Sequence, residues 1–230
     1  MTKYKWLLFD ADDTLFDYGK AEAGALRKTF EQAGAKFEPE YLPAYQQINQ
    51  QIWREFEQGR ISAEALRVKR FELLFEAIGV SMDPELFSVR YLPNLATQSE
   101  LTEGALEVVQ ALHSKYRLAI ITNGLRDVQR PRLARSAIRD YIADIIISEE
   151  VGAVKPERAI FDAAFQRMGH PSKDEVLLIG DSLTSDIAGA SNYGIDTCWF
   201  NPEGKARREG LEIKYEIRHL TDLLEILNEG

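Results

Sequence analysis

Five short apolar runs, each ending at polar or glycine-containing residues, constrain this chain more than any other feature: Lys5–Asp10, Arg117–Thr122, Asp144–Ser148, Val176–Gly180 and Ile195–Phe200. Runs of this length without polar alternation are the pattern of parallel strands covered on both faces. After Glu100 they are separated by Glu103–Ser114, Glu157–Gly169 and Ser185–Tyr193, whose apolar residues recur at three- and four-residue spacing and read as crossover helices. Strands alternating with helices predict an α/β fold built on a doubly wound parallel sheet.

Between the first and second runs lies an interruption far longer than one crossover helix. Ala21–Ala33, Pro39–Gln58, Ser62–Ile78 and Pro84–Leu92 each carry helical periodicity, with Gly34, Gly59 and Gly79 as stops and Ser62 placed as an N-cap. The expected organisation is a sheet domain over residues 1–16 and 101–230, with an all-helical domain inserted over 17–100.

The balance of 28 basic against 37 acidic side chains gives a net charge of -9, which disfavours nucleic acid and anionic membranes as partners. A phosphorylated ligand must then be met locally, by a metal or a few placed donors. No apolar run is long enough to span a bilayer, and Trp6-Leu7-Leu8-Phe9 is too short for a signal peptide. Cys198 is the single cysteine, so an intrachain disulfide is excluded and a reducing cytoplasm is the expected location.

In open α/β sheets ligands bind beyond the carboxyl ends of the strands. Asp10 and Asp12 close the first run, Thr122-Asn123-Gly124 closes the second, Lys155-Pro156 follows the third, and Gly180-Asp181 closes the fourth with Asp186 five residues on. Singly, each has an ordinary explanation as a turn, a cap or a solvated lysine. Jointly, in order at successive strand ends, they converge on one crevice. Asp10, Asp181 and the Asp12 carbonyl are hard oxygen ligands of the kind magnesium takes. Lys155 supplies a cation that favours an ionised Asp10, and the Thr122 hydroxyl with neighbouring amides can bind phosphoryl oxygens.

With these residues in place, the chain resembles the haloacid dehalogenase superfamily: Asp-x-Asp-x-Thr at Asp10–Thr14, an apolar strand ending in Thr122, then Lys155, then Gly180-Asp181 with Asp186. That resemblance implies a Rossmann-like core with a helical cap that closes over substrate. It also implies magnesium dependence, Asp10 as nucleophile forming an aspartyl-phosphate, and Asp12 as the acid and base. Asp181 becomes a direct metal ligand, and Asp186 acts from behind the ligands on Lys155 or a metal-bound water. Dehalogenases of the superfamily lack a carboxylate at the position of Asp12, so its presence favours phosphoryl chemistry.

The stretches Phe9–Phe16, Ile121–Gly124, Ile147–Gly152, Thr197–Asn201 and Tyr45–Trp53 resemble the bacterial noncanonical pyrimidine nucleotidases, which implies a nucleoside monophosphate as the small-molecule partner. Asp13, where many superfamily members have Gly, fits that subgroup. Pro131 departs from the pattern, falling inside the helix expected after the second motif, where it kinks the helix or marks its first turn.

In the inserted domain, Trp53, Tyr45 and Phe56 are candidates to stack on a base and Asn49 to read its polar edge, although aromatics at helical spacing also form cores. Phe16 either lines the site or packs the hinge. A phosphatase of phosphoglycolate or sugar phosphates is the alternative enzyme. Receiver-like signalling modules place similar residues around magnesium, but there the acceptor aspartate follows the third strand, where this chain has Ile147-Ser148-Glu149-Glu150.

Overall fold

A computed structural model describes residues 3–228. Its strands are β1 (Trp6–Phe9), β2 (Arg117–Thr122), β3 (Ile142–Ile147), β4 (Val176–Gly180), β5 (Asp196–Phe200) and β6 (Tyr215–Ile217), forming one sheet in the order β3-β2-β1-β4-β5-β6. Every pairing is parallel. The chain winds outward from β1 through β2 to β3, then returns to the other side of β1 for β4, β5 and β6. The reversal flanks β1, so the crevice that a doubly wound sheet offers to ligands opens at Asp10.

The helices are α1 (Tyr18–Gln32), α2 (Tyr41–Glu57), α3 (Ala63–Ile78), α4 (Pro84–Ala96), α5 (Ala105–Leu112), α6 (Arg126–Arg135), α7 (Ser148–Val151), α8 (Arg158–Arg167), α9 (Ala188–Tyr193) and α10 (Asp222–Asn228). None is long and apolar enough, among the described residues, to cross a membrane.

Strand alternation explains why β1 is apolar throughout. Leu7 and Phe9 join one buried layer with Val108 and Leu112 of α5 and Leu223 of α10, whereas Trp6 and Leu8 join the opposite layer with Phe161 of α8 and Tyr193 of α9. Each such side chain removed from water contributes roughly 1.5–3 kcal/mol. A charge anywhere in β1 would therefore disrupt one layer or the other.

The chain divides into two compact units. One runs through Tyr18, takes in Glu100–Arg126 and resumes from Leu133; the other comprises Gly19–Ser99 and Asp127–Arg132. Where the sheet unit's chain departs and returns, it forms a short antiparallel stem. The Asp17 N–H donates to the Glu100 carbonyl at 3.0 Å, Phe16 bridges Leu101, and the Thr102 N–H donates to the Leu15 carbonyl at 3.0 Å.

Local chemistry sets the ends of the inserted helices. Ser62 accepts from the Ala65 N–H at 3.2 Å to start α3, which stops at Gly79 in the left-handed region, φ 67°. Asp83 caps α4 through the Glu85 and Leu86 amides, with Pro84 in the first turn. Expected to end at Leu92, α4 instead runs through Pro93 to Ala96, where burial of Leu95 and Ala96 offsets the lost backbone bond.

Pro131 likewise lies in the interior of α6, which begins at Arg126, so it does not mark a first turn. The stretch expected to be helical from Ser185 begins as a π-helical turn over Leu183–Ile187, and β6 is a strand too short to be legible as a run.

Candidate active site

Asp10 directly follows β1 and is held in line by its N–H, which donates to the Ile179 carbonyl of β4 at 2.8 Å. The next turn doubles back, with the Leu15 and Phe16 amides donating to the Ala11 carbonyl and the Asp13 amide to the Phe16 carbonyl. Closing this loop puts Asp13 at φ 59°. That is a conformation glycine adopts freely and aspartate tolerates better than most residues. Phe16, 1% exposed, sits in the apolar layer beneath the loop. Asp12 is partly exposed.

Lys155 is the centre of the site. Its side chain, 2% exposed, donates to Asp10, to Asp186 at 2.6 Å and to the Ile121 carbonyl at 2.9 Å. An ammonium has three N–H donors, and these three acceptors match them. The Lys155 backbone is clamped by Asn123, whose amide donates to the Lys155 carbonyl at 3.0 Å while its carbonyl accepts the Lys155 N–H at 2.7 Å. Asn123 thus spends both ends of its side chain on orienting Lys155. The Thr122 hydroxyl, at the end of β2, accepts the Gly124 N–H at 3.0 Å.

Across the crevice, β4 ends at Gly180. A Cβ built there would lie 2.5 Å from the Asp186 carboxyl carbon, so only glycine leaves room for Asp186. The Asp186 carboxylate receives Lys155 on one oxygen and the Ser182 N–H on the other, at 3.0 Å. Asp181 accepts from the Thr14 hydroxyl at 3.5 Å. Oxygens of Asp10, Asp181 and Asp186 lie within 4.8 Å of one another.

These three carboxylates face the single ammonium of Lys155, leaving a surplus of two negative charges when all are ionised. Burial, with the repulsion of Asp186 and Asp181, raises the Asp10 pKa well above its ordinary value despite Lys155. Desolvation and the charges of Asp186 and Asp13 push Asp181 up to about 8. Burial opposes the Lys155 charge, but Asp10 and Asp186 outweigh it and raise its pKa. The donor set is all oxygen and short by two positive charges, which fits a hard divalent cation such as magnesium. Asp10 and Asp181 could hold it; both Asp186 oxygens already accept hydrogen bonds, from Lys155 and the Ser182 N–H.

Asn49 and Trp53 belong to the helical unit. Asn49, 3% exposed, donates to Glu22 at 3.4 Å and accepts from Arg70 at 3.3 Å, linking α1, α2 and α3. Tyr45 is buried and stacked on Phe71, as a core residue is. Trp53, half-buried, packs edge-on to Phe56 with ring centroids 5.7 Å apart. Two further side chains, outside the four strand-end motifs but within stretches that resemble the nucleotidases, bond to this part of the molecule. Trp199 donates its indole N–H to the Asp181 carbonyl at 2.8 Å, and Glu149 accepts the Arg126 N–H at the start of α6 at 2.8 Å.

Proteins of known family share this arrangement's sequence. YfnB of Bacillus subtilis is 38% identical over 99% of this chain and 97% of its own, and its crystal structure, bound to magnesium and revealing interdomain movement, superposes with a TM-score of 0.92 over 98% of this chain and 99% of that one. The pyrimidine 5'-nucleotidase PynA of Streptococcus pneumoniae is 35% identical over 99% of this chain and 96% of its own length. The pyrimidine 5'-nucleotidase YjjG of Escherichia coli is 33% identical over 98% of each. Residues 4–194, which carry Asp10, Asp12, Thr122, Lys155, Asp181 and Asp186, match the family description "haloacid dehalogenase-like hydrolase". By motif order, fold and full-length similarity together, the chain belongs to the haloacid dehalogenase-like hydrolases.

Proposed function

We propose that this hydrolase is a phosphatase whose substrate is the 5'-phosphate of a pyrimidine nucleoside monophosphate. The observation that carries the chemistry is the buried contact of Lys155 with Asp10 in a cluster that otherwise holds two further carboxylates. An attacking carboxylate beside a surplus of negative charge needs cationic help to meet a dianionic ester. Magnesium, when bound, supplies that charge and neutralises the phosphoryl oxygens.

The chain's own residues do the rest. Lys155 holds one Asp10 oxygen, which fixes the carboxylate's direction at the centre of the crevice. The other Asp10 oxygen attacks phosphorus as the ester P–O bond breaks, giving an aspartyl-phosphate. Asp12, partly exposed and two residues on, gives its proton to the departing ribose 5'-oxygen. It then takes a proton from the water that releases phosphate from Asp10. Thr122 lies at the end of β2, where its hydroxyl proton serves a phosphoryl oxygen while its lone pair holds Gly124. Asp186 and Asn123 act through Lys155, one on its ammonium and one on its backbone.

Support for the nucleotide comes from the relatives YjjG and PynA, similar over nearly their full lengths. The test is phosphate release from a panel of phosphate monoesters with magnesium, with and without chelation. Pyrimidine nucleoside monophosphates are expected to exceed sugar and triose phosphates in kcat/KM, and chelation is expected to abolish turnover until magnesium is restored. A preference for sugar phosphates would overturn the substrate, and undiminished turnover after exhaustive chelation would overturn the metal.

A further inference from the structure

Trp199 is the largest fully buried side chain among the described residues, 1% exposed, yet neither apolar layer of the sheet contains it. Its neighbours Cys198 and Phe200 turn into the layer that packs α5 and α10. Trp199 points to the other face at the carboxyl end of β5, in register with Gly180 of β4. There its indole N–H meets the Asp181 carbonyl at 2.8 Å, a good length for a neutral donor. A tryptophan that fills no apolar layer and aims its one donor at the residue after β4 is placed as a support.

We infer that Trp199 is a positioning residue that holds Asp181 in the crevice and thereby sets the affinity of the site for a divalent cation. The inference rests on Asp181 being a metal ligand. Asp181 needs such a support more than its partners do. Lys155 binds Asp10 and Asp186 directly, whereas Asp181 is held by the Thr14 hydroxyl at 3.5 Å and by its own backbone. The charges of Asp186 and Asp13 repel it, and it is partly exposed.

The loop beyond is fixed separately: the Ser182 N–H binds Asp186, and the Ser182 hydroxyl accepts the Ser185 N–H at 3.2 Å. Trp199 fixes the half that this arrangement leaves. A ligand already held in place is not reorganised when the cation arrives, and partners of ligands tune metal affinity by about 10–100-fold.

The test is calorimetric titration of the full chain with magnesium alone, for wild type, Trp199→Phe and Trp6→Phe. A further variant replaces Trp199 by 3-benzothienylalanine, which keeps the ring shape and removes the N–H. Trp6 is a buried tryptophan of an apolar layer, so its variant reports what loss of packing alone does. Both Trp199 variants are expected to weaken the magnesium Kd by about tenfold. Trp6→Phe should leave it within about twofold, and kcat at saturating magnesium should recover in every variant.

Wild-type affinity in the benzothienyl variant would overturn the inference, as would equal weakening by Trp6→Phe. Asp181→Asn separates the two levels. If it binds magnesium as wild type does, Asp181 is no ligand and both readings fall. If it loses magnesium while the Trp199 variants keep it, only the role of Trp199 falls.

Discussion

Two lysine–aspartate clusters stand at opposite ends of the same sheet, and burial separates their properties. Beyond the carboxyl end of β1, Lys155, Asp10 and Asp186 have side chains 2%, 10% and 1% exposed. At the amino end of β5, Asp196 gathers Lys3, Lys214 at 2.6 Å and the Tyr4 hydroxyl at 2.7 Å, with Lys3 47% and Lys214 36% exposed.

The charge balance is inverted as well. One end has carboxylates in excess of ammonium; the other has two ammoniums on one carboxylate. At the buried end the Asp10 pKa is raised. At the wet end desolvation opposes ionisation, but hydrogen bonds from Lys214, Lys3 and Tyr4 prevail and lower the Asp196 pKa. Ion pairs in water are nearly neutral in stability, whereas buried pairs are costly to break and able to hold a reactive carboxylate.

The comparison is broken most directly at Asp10. Asp10→Asn removes the proposed nucleophile and is expected to cut turnover by about 10⁵-fold or more, measured on protein shown free of deamidation. At the same end, Lys155→Met leaves Asp10 and Asp186 buried without their cation and is expected to cost roughly 3–5 kcal/mol in denaturant melts of metal-free protein. Lys214→Met at the wet end should cost no more than about 1 kcal/mol. Equal losses would remove the distinction.

Gly180→Ala tests whether close approach, not charge alone, maintains the buried cluster. Its methyl would displace Asp186. We expect a loss of about 1–3 kcal/mol and turnover lower by about 10²-fold. The smallest effect is expected from Asp196→Asn, about 1 kcal/mol at pH 7. Because the folded pKa of Asp196 is depressed, its contribution is complete above the ordinary aspartate value and is lost as pH falls through the folded one. The gap between wild type and variant, followed by melts across pH, should therefore close below about pH 4.

What the sequence made legible follows the same division. Asp10 and Asp181 stand at the ends of apolar runs and Lys155 follows another, and parallel strands bring such ends to one side of a sheet, so the meeting of these three is legible in the sequence. Trp199 falls in a stretch that resembles the nucleotidases, but its contact is not legible there, because it is a hydrogen bond to a residue eighteen positions earlier. Gly180 reads in sequence as part of a strand-end motif, but that its missing side chain makes room for Asp186 depends on packing. The wet cluster was invisible, since Lys3 and Asp196 are 193 residues apart and no motif joins them. Asn49 and Tyr45 show the opposite limit: helical spacing located their helix, but which helices they bond and stack against depends on packing among three others. β6 escaped because three residues hold too little pattern.

The antiparallel stem at Asp17–Glu100 and Leu15–Thr102 bears on the order in which the chain folds. β1 must find β2 across more than a hundred residues, a search whose entropy grows with the length of the intervening loop. Once the stem has formed, the connection from Asp10 to Tyr116 shortens from roughly 107 residues to roughly 23, which lowers the closure cost by about 1.4 kcal/mol, or about tenfold in encounter rate. An insertion of 81 residues, Gly19–Ser99, then burdens the central strand pair hardly more than a long loop would, so the sheet can carry a whole second unit without surrendering the speed of its own assembly.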